Sequence, residues 1–561
     1  MQSSDETHAP QYDVIILGSG MSGTQMGCIL AKQKLRVLII EESQHPRFTI
    51  GESSIPETSV MNRIIADRFG IPEIKHLTSF YALTRHVSSS TGIKRNFGFV
   101  FHRPGQEADP REFTQCIIPE LPWGPESHMY RQDVDAYLLT AAIRYGCTVK
   151  QRTSITNYEI DKTGVKLTSS AGERFTGRYI IDCGGPRSAL ATKLGVRDET
   201  PRYKTHSRSI YTHMIGVRPF DEIFKLKGQP WRWHEGTLHH MFDGGWIWVI
   251  PFNNHRRATN PLVSVGVQFD PRRHPRPDIS AQEEFERVLA RFPSLAAQFR
   301  DARPVREWVQ TDRMQYSAKQ CIGDRWALML HATGFIDPLF SRGLENTAVT
   351  IHALAPRLIQ ALRDDDLSTQ RFEYIERLQQ KLLEHNDDVV NCCYIAFSDF
   401  RLWDAFHRMW AVGSVLSAFR IISAYAKFIE SGDEKYLDHL DDNPPYLGHL
   451  SADIESYVKL FNDTRDECEA VHAGKVSAEV AAGRIHRMID QTDFARPLWD
   501  FGYCISGASK KVVHSKYNIM PGVRVMQWAQ KEAPPAIRRY FDFKPFTLLS
   551  QVRLYIDDRI L

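Results

Sequence analysis

A short β-rich run, Tyr12–Leu17, leads without a break into Gly18-Ser19-Gly20-Met21-Ser22-Gly23, and this junction constrains the fold more than any other stretch of the 561 residues. A helix-compatible segment follows to Gln33, and a second apolar run at 36–40 ends in Glu41. Strand, glycine loop, helix and strand in that order predict a Rossmann-type dinucleotide-binding unit. The first glycine makes the turn, the second admits a pyrophosphate and the third lets helix pack on sheet. The helix N-terminus offers oriented N–H groups to the diphosphate. Glu41, about twenty residues past the loop, is placed to take a ribose hydroxyl pair and disfavours a 2′-phosphate. Gly18, Gly20, Ser22, Gly23 and Glu41 are therefore candidate cofactor residues; the bland alternative is a structural turn without a ligand.

The rest of the chain fits an α/β (α+β) fold with several units, since its length exceeds what one core usually needs. From 130 to 146 the apolar residues Val134, Tyr137, Leu138, Ala142 and Tyr145 keep helical spacing, and 178–181 forms a further apolar strand before Asp182-Cys183-Gly184-Gly185. Between 209 and 269 the pattern changes to alternating strands with hairpin signals, notably Asp243-Gly244-Gly245. The expected division is a discontinuous nucleotide-binding domain (1–80, 120–200, 310–365), an antiparallel substrate-side sheet (81–119, 201–309) and a C-terminal helical region (366–561). That last region carries Phe397, Phe400, Trp403, Phe406 and Trp410 and has breaks at Asn443-Pro444-Pro445 and Gly448. Its aromatic stripe reads as core, and no internal repeat is evident.

Seventy Lys and Arg against sixty-seven Asp and Glu give a net charge of +3, which offers no basis for a nucleic-acid or anionic-membrane partner. Nine scattered cysteines without CxxC spacing read as reduced thiols, neither disulfides nor a zinc site. HExxH is absent, which argues against a metal. The opening MQSSDETHAP lacks the features of a signal peptide, and no apolar run looks long enough to span a bilayer. A soluble cytoplasmic protein acting on small molecules is the expectation.

In Gly245-Trp246-Ile247-Trp248-Val249-Ile250-Pro251 the two tryptophans alternate and so share one face of a strand. Alone, they read as core. Behind a nucleotide loop they acquire a second reading, because two indoles can wall a flavin edge off from a bulky substrate while admitting oxygen, peroxide or halide.

The glycine loop, the strap Thr49-Ile50-Gly51-Glu52-Ser53-Ser54-Ile55-Pro56, Lys94 within Gly92-Ile93-Lys94-Arg95-Asn96-Phe97-Gly98-Phe99, and the double-tryptophan strand together resemble the flavin-dependent halogenases, on the fold of FAD aromatic hydroxylases. The resemblance implies that FADH2 from a separate flavin reductase reacts with oxygen to give a C4a-hydroperoxide, which oxidises chloride to hypochlorous acid. Lys94 would then hold the acid as an ammonium or form a haloamine, with desolvation lowering its pKa; the bland alternative is a solvated lysine. Trp246, Trp248 and Pro251 would form the barrier. Ile50, Gly51, Arg131, Gly334 and Asp337 are implied flavin contacts, Arg131 being equally suited to a salt bridge. Asp337-Pro338-Leu339-Phe340-Ser341-Arg342-Gly343 resembles the family's halide turn, so chloride is assigned to the amides of Arg342 and Gly343; simple helix capping by Ser341 is the competing account. Arg95 is expected to point away and to be structural.

Two departures from the family pattern matter, one for substrate and one for FAD. Phe340 stands where tryptophan halogenases carry a glutamate, so the pocket lacks that carboxylate and the ring must supply its own activation. Leu330-His331-Ala332-Thr333-Gly334 replaces the usual Gly-Asp before the flavin turn, leaving His331 to make the missing hydrogen bond or FAD to bind more weakly. A free aryl-pyrrole, chlorinated at a pyrrole carbon in antibiotic biosynthesis, is the expected substrate, and free tryptophan a poor one. An FAD-dependent aromatic monooxygenase is the alternative, and a flavin-binding scaffold without chemistry a third reading.

Overall fold

The computed structural model describes residues 11–118, 120, 123–225, 229, 231–441, 453–494, 504–506 and 520–542. The proline and glycine breaks at Asn443-Pro444-Pro445 and Gly448 lie outside these residues.

Tyr12–Leu17 is the middle of the first sheet, paired in parallel with Val37–Ile40 on one side and Arg174–Asp182 on the other. Thr148–Lys150 extends the first edge and Trp326–Leu328 the second, both in parallel. Val14, Ile15 and Ile16 have no exposure at all, as expected of a parallel strand covered on both faces. Two helices, Met21–Lys32 and Arg342–Asp364, pack together beside this sheet. Gly27 sets the spacing of the first, since a Cβ there would stand 2.8 Å from the Ile39 side chain.

The second sheet is mostly antiparallel. Its main path runs Arg303–Pro304, Arg208–Ile215, Val263–Phe269, Gly245–Pro251, Gly236–Phe242, Asn96–Phe101, Phe113–Ile117 and Cys504–Ser506. Along Gly245–Pro251 the even positions Trp246, Trp248 and Ile250 enter the core shared with the first sheet, whereas Ile247 and Val249 enter a separate core beneath the helix Ala281–Arg291. Both faces are therefore dry, and the strand carries no polar side chain.

The C-terminal region is helical in Glu373–Ala396, Phe400–Ser431, Glu455–His472 and Ala478–Asp490. Three findings here differ from the sequence expectations. Cys504–Ser506 forms an edge strand against Phe113–Ile117, so this region also contributes to the second sheet. Cys116 is disulfide-bonded, contrary to the reading of all nine cysteines as reduced thiols. Cys504 stands directly opposite it in the antiparallel ladder. Finally, Phe400–Ser431 is the one described helix long and apolar enough to cross a membrane, yet half of its most apolar window is buried inside the protein.

Candidate active site

The glycine loop has the geometry that a diphosphate needs. Gly18 lies at φ +91°, and a Cβ there would stand 2.8 Å from the Cys183 carbonyl oxygen; at Gly23 it would lie 2.0 Å from the carbonyl oxygen of Gly18. Gly20 differs, because the nearest atom to its missing Cβ is an Arg47 guanidinium nitrogen at 3.7 Å. The loop is thus packed at its first and third glycines and open at its second. Gly20 also caps the helix Met21–Lys32 without any side-chain hydrogen bond to the first turn, which keeps the N-terminal amides available to an anion. Ser22, in that turn, interacts with the Cys183 thiol. Glu41 accepts hydrogen bonds from the Ser19 amide (2.9 Å) and from the hydroxyls of Ser19 (2.7 Å) and Ser43 (2.6 Å), and Arg47 is 3.3 Å away. Burial opposes its charge, but these partners prevail and hold the carboxyl down at about 2, so it is ionised.

The strap links this cofactor side to Lys94. Arg131 forms a buried salt bridge with Asp135 (2.8 Å) and donates to the carbonyl oxygens of Ile50 (2.9 Å) and Gly51 (3.0 Å). It is both a salt-bridge partner and the clamp on the strap. Past Gly51 (φ +96°), the strap reaches Ser53 and Ser54. The fully buried Lys94 ammonium donates to the Ser53 hydroxyl (2.8 Å) and the Ser54 carbonyl (2.7 Å) and lies 3.6 Å from the centre of the Phe97 ring. Ser53 continues to the Thr237 hydroxyl at 2.9 Å, and Thr237 to His128 Nε2 at 2.9 Å. His128 Nδ1 meets the Pro251 carbonyl at 2.8 Å, so Lys94 is wired to the end of the tryptophan strand. Burial drives the Lys94 pKa well below its ordinary value and, helped by the lysine charge, pushes His128 down to about 3. Neighbouring Arg95 instead pairs with Glu120 (2.6 Å) and Glu235 (3.1 Å), a structural role.

Beyond Lys94 the sheet face is aromatic. Trp246 and Trp248 lie side by side with ring centres 5.9 Å apart, and His239 bridges Trp246 to Phe97 and Phe99. Trp248 occupies the space over Gly266, where a Cβ would come within 2.1 Å of the indole. Phe340 is buried and stacks on Trp410 at 3.9 Å, with Trp403 farther along the same helix. Helix Phe400–Ser431 thus lays its aromatic stripe directly against Phe97, Phe99 and Phe340.

Phe340 (φ 66°) and Ser341 (φ 59°) are both left-handed immediately before the helix Arg342–Asp364. Such a conformation costs a bulky residue about 1–3 kcal/mol and is a mark of functional turns. Ser341 makes no side-chain cap, which removes the competing account of this turn and leaves the Arg342 and Gly343 amides at an uncapped, electropositive helix end. The Arg342 side chain is occupied by Glu345 at 2.9 Å. His331 stands against Gly343, 3.0 Å from its missing Cβ, and 3.3 Å from the Thr347 hydroxyl; burial and Arg131 bring its pKa down to about 4, so the ring is neutral. Gly334 faces protein, with the Tyr316 carbonyl 2.9 Å from its missing Cβ. Asp337 is likewise turned inward, accepting from Ser207 (3.0 Å) and Tyr394 (3.1 Å), and burial lifts it to about 6.

Four polar residues of this centre were not singled out from sequence: Glu57, Glu126, His128 and Thr237. Glu126 is buried directly across the ladder from Lys94. Glu57 accepts from Ser414 of the C-terminal helix at 2.8 Å and is pushed up to about 7 by burial and by Glu345. The sequence signal was faint: Glu126-Ser127-His128 is a short polar run, and nothing local distinguishes it from a loop. Among the described residues no cluster suits a metal ion.

A glycine loop open at its second glycine, an ionised carboxylate at the end of the second strand and a strap leading to a second, aromatic sheet form a dinucleotide-binding type of fold. The family described as FAD binding domain matches residues 11–365. The monodechloroaminopyrrolnitrin halogenase PrnC of Pseudomonas fluorescens is 69% identical over 99% of this chain and 98% of its own. The tetracycline 7-halogenase of Kitasatospora aureofaciens is 46% identical over 94% of each chain. The crystal structure of halogenase PltM with phloroglucinol and FAD superposes with a TM-score of 0.83 at 36% identity, covering 86% of this chain and 96% of that one. The chain belongs to the flavin-dependent halogenases. It is an enzyme, and FAD is its cofactor.

Proposed function

We propose that this halogenase chlorinates a free aryl-pyrrole, monodechloroaminopyrrolnitrin or a close analogue, at a pyrrole carbon in antibiotic biosynthesis, using chloride and FADH2 from a separate flavin reductase. The observation that carries the reading is the placement of Lys94: a dry amine, hydrogen-bonded to the strap and stacked on Phe97, beside a wall of aromatic rings. Gly18, Gly20, Gly23 and Glu41 would hold the dinucleotide part of FAD, and His331 the chain toward the flavin. Reduced and bound there, FAD supplies, with oxygen, the two-electron oxidation of chloride to hypochlorous acid. The amides of Arg342 and Gly343 hold the halide. Trp246 and Trp248 keep the organic substrate off the cofactor, and Lys94 receives the small oxidant that passes. Phe340 and Trp410, buried and stacked on each other with Trp403 beside them, supply the apolar packing next to which a two-ring ligand would bind. The second sheet serves the substrate side, and the helix Phe400–Ser431 covers it.

The choice of ring follows from Phe340. Without a carboxylate at that point to stabilise a cationic ring, the substrate must contribute a heteroatom lone pair, as a pyrrole does. The name of the 69% identical relative supports the same substrate. Incubation with FAD, a reductase, NADH, chloride and equal concentrations of an aryl-pyrrole and tryptophan is the test. A chlorine isotope doublet on the aryl-pyrrole is expected. Preferential chlorotryptophan would defeat the substrate assignment, and a product gaining only oxygen would favour the monooxygenase alternative.

A further inference from the structure

The strands Gly92–Lys94 and Glu126–His128 form a two-stranded antiparallel sheet in which Lys94 and Glu126 stand directly opposite each other. Directly opposed residues project to the same face, and both are buried. Ser54 ties them together: its carbonyl oxygen takes the Lys94 hydrogen bond at 2.7 Å, and its hydroxyl donates to Glu126 at 2.6 Å. Ser59 donates to the same carboxylate oxygen at 2.7 Å. Resting on the reading of Lys94 as the transfer lysine, we propose that Glu126 is its positioning residue: joined to the amine through Ser54 rather than bonded to it directly, the carboxylate takes up one proton from the lysine as the side chain moves off the Ser54 carbonyl, and so lets it alternate between ammonium and free base inside a dry site.

The surrounding charges favour this exchange. Lys94 is faced by Glu126 from the paired strand, Glu57 from the helix Pro56–Phe69, and the neutral imidazoles of His128 and His239. Glu126 is faced by Lys94 and by Arg63 of that same helix. Burial acts on both members in the direction of neutrality, lowering the lysine and raising the glutamate, while their mutual attraction opposes it. Two states of one pair, ammonium with carboxylate and amine with carboxylic acid, are thereby brought close in free energy.

The chemistry closes on itself. The ammonium gives its proton to the carboxylate, and the amine lone pair takes chlorine from hypochlorous acid. The O–Cl bond breaks with its electron pair on oxygen, and that oxygen takes up the proton held by the pair and leaves as water. The ring π electrons then take chlorine from nitrogen, the N–Cl pair returns to nitrogen, and the ring C–H proton ends there, restoring ammonium and carboxylate. Of the two roles left open by the sequence, this pair supports the haloamine.

Glu126→Gln tests the assignment, because it keeps the hydrogen-bond acceptor while removing the proton site. The expected result is a kcat for chlorination at least tenfold lower, a KM for the aryl-pyrrole within twofold, and loss of the alkaline limb of the pH–rate profile. Ser59→Ala, a milder change that removes one donor favouring the ionised carboxylate, should move that limb to higher pH; it carries the test alone should Glu126→Gln fail to fold. Unchanged profile shapes would overturn the proposal, even with a lower rate, since a purely structural glutamate would slow the enzyme without altering its titration. Lys94→Met separates the two readings: activity retained in that variant removes the lysine itself, whereas activity lost there with unmoved profiles in the glutamate and serine variants removes only Glu126.

Discussion

At the scale of single residues, Lys94 carries more of the proposed chemistry than any other side chain, and its surroundings say how to test it. Lys94→Met preserves length and apolar stem but removes the charge and the N–H groups donated to the Ser53 hydroxyl and the Ser54 carbonyl. FAD binding and oxygen consumption should stay near normal while chlorinated product disappears, as read by flavin fluorescence, an oxygen electrode and mass spectrometry. Wild-type-like chlorination would exclude the lysine. The sequence made Lys94 conspicuous through its flanking aromatic, glycine-containing strand. It did not disclose Glu126, because a carboxylate thirty-two residues away acquires its meaning only when an antiparallel register sets it opposite. Ser341 is the reverse case: a plausible helix cap by residue type, it leaves the helix end uncapped because its own backbone is left-handed.

The tryptophan strand is the element on which the barrier depends, and its register specifies a sharper experiment than deletion of the indoles. Trp246→Ala or Trp248→Ala would lose about 3–5 kcal/mol from burial alone, which confounds function with folding. Gly266→Ala instead pushes the Trp248 ring from the neighbouring strand, since the new methyl would lie 2.1 Å from it. Crowding of this kind costs about 1–3 kcal/mol. Melting temperature should fall, and a smaller share of the oxygen consumed should appear as chlorinated product. A variant that melts lower but remains fully coupled would show that the position of Trp248 does not govern oxidant traffic. Alternation in the sequence was enough to put both indoles on one face. That the opposite face is equally dry, beneath Ala281–Arg291, came from packing, which the apolar odd positions were compatible with but could not assign.

For the molecule as a whole, buried imidazoles set the response to acid. Burial brings His128, His239, His240 and His407 down to about 3. Their unfolded value is about 6.5, so below that pH the unfolded chain binds protons that the folded one refuses. The stability they confer is complete above about pH 6.5 and is lost progressively toward pH 3. At pH 5 each costs about 2 kcal/mol, from about 1.36 kcal/mol per pH unit. Glu57, lifted to about 7, acts with the opposite sign: its contribution is present below about pH 4.5 and is lost as pH rises through 7. Asp337, lifted to about 6, acts as Glu57 does; four groups outweigh two, so the melting temperature should drop clearly between pH 7 and pH 5 in a buffer series of constant ionic strength. A flat profile would mean that these rings find water or partners when protonated.

The sequence by itself determined the nucleotide-binding half, because a glycine loop between strand and helix works through local backbone geometry: Gly18 and Gly23 are required by contacts within the unit and its adjoining turn, and Gly20 by the space left for a ligand. It also determined the family, since the strap, the lysine strand and the tryptophan strand are contiguous motifs. Tertiary structure decided what depends on long-range pairing. It set Glu126 against Lys94, joined Thr237 and His128 into the hydroxyl path, and brought Cys504 opposite Cys116. It also turned the C-terminal aromatic stripe onto Phe340, because an apolar face read along a helix states that it will be buried and leaves its partner to the packing of the rest of the chain.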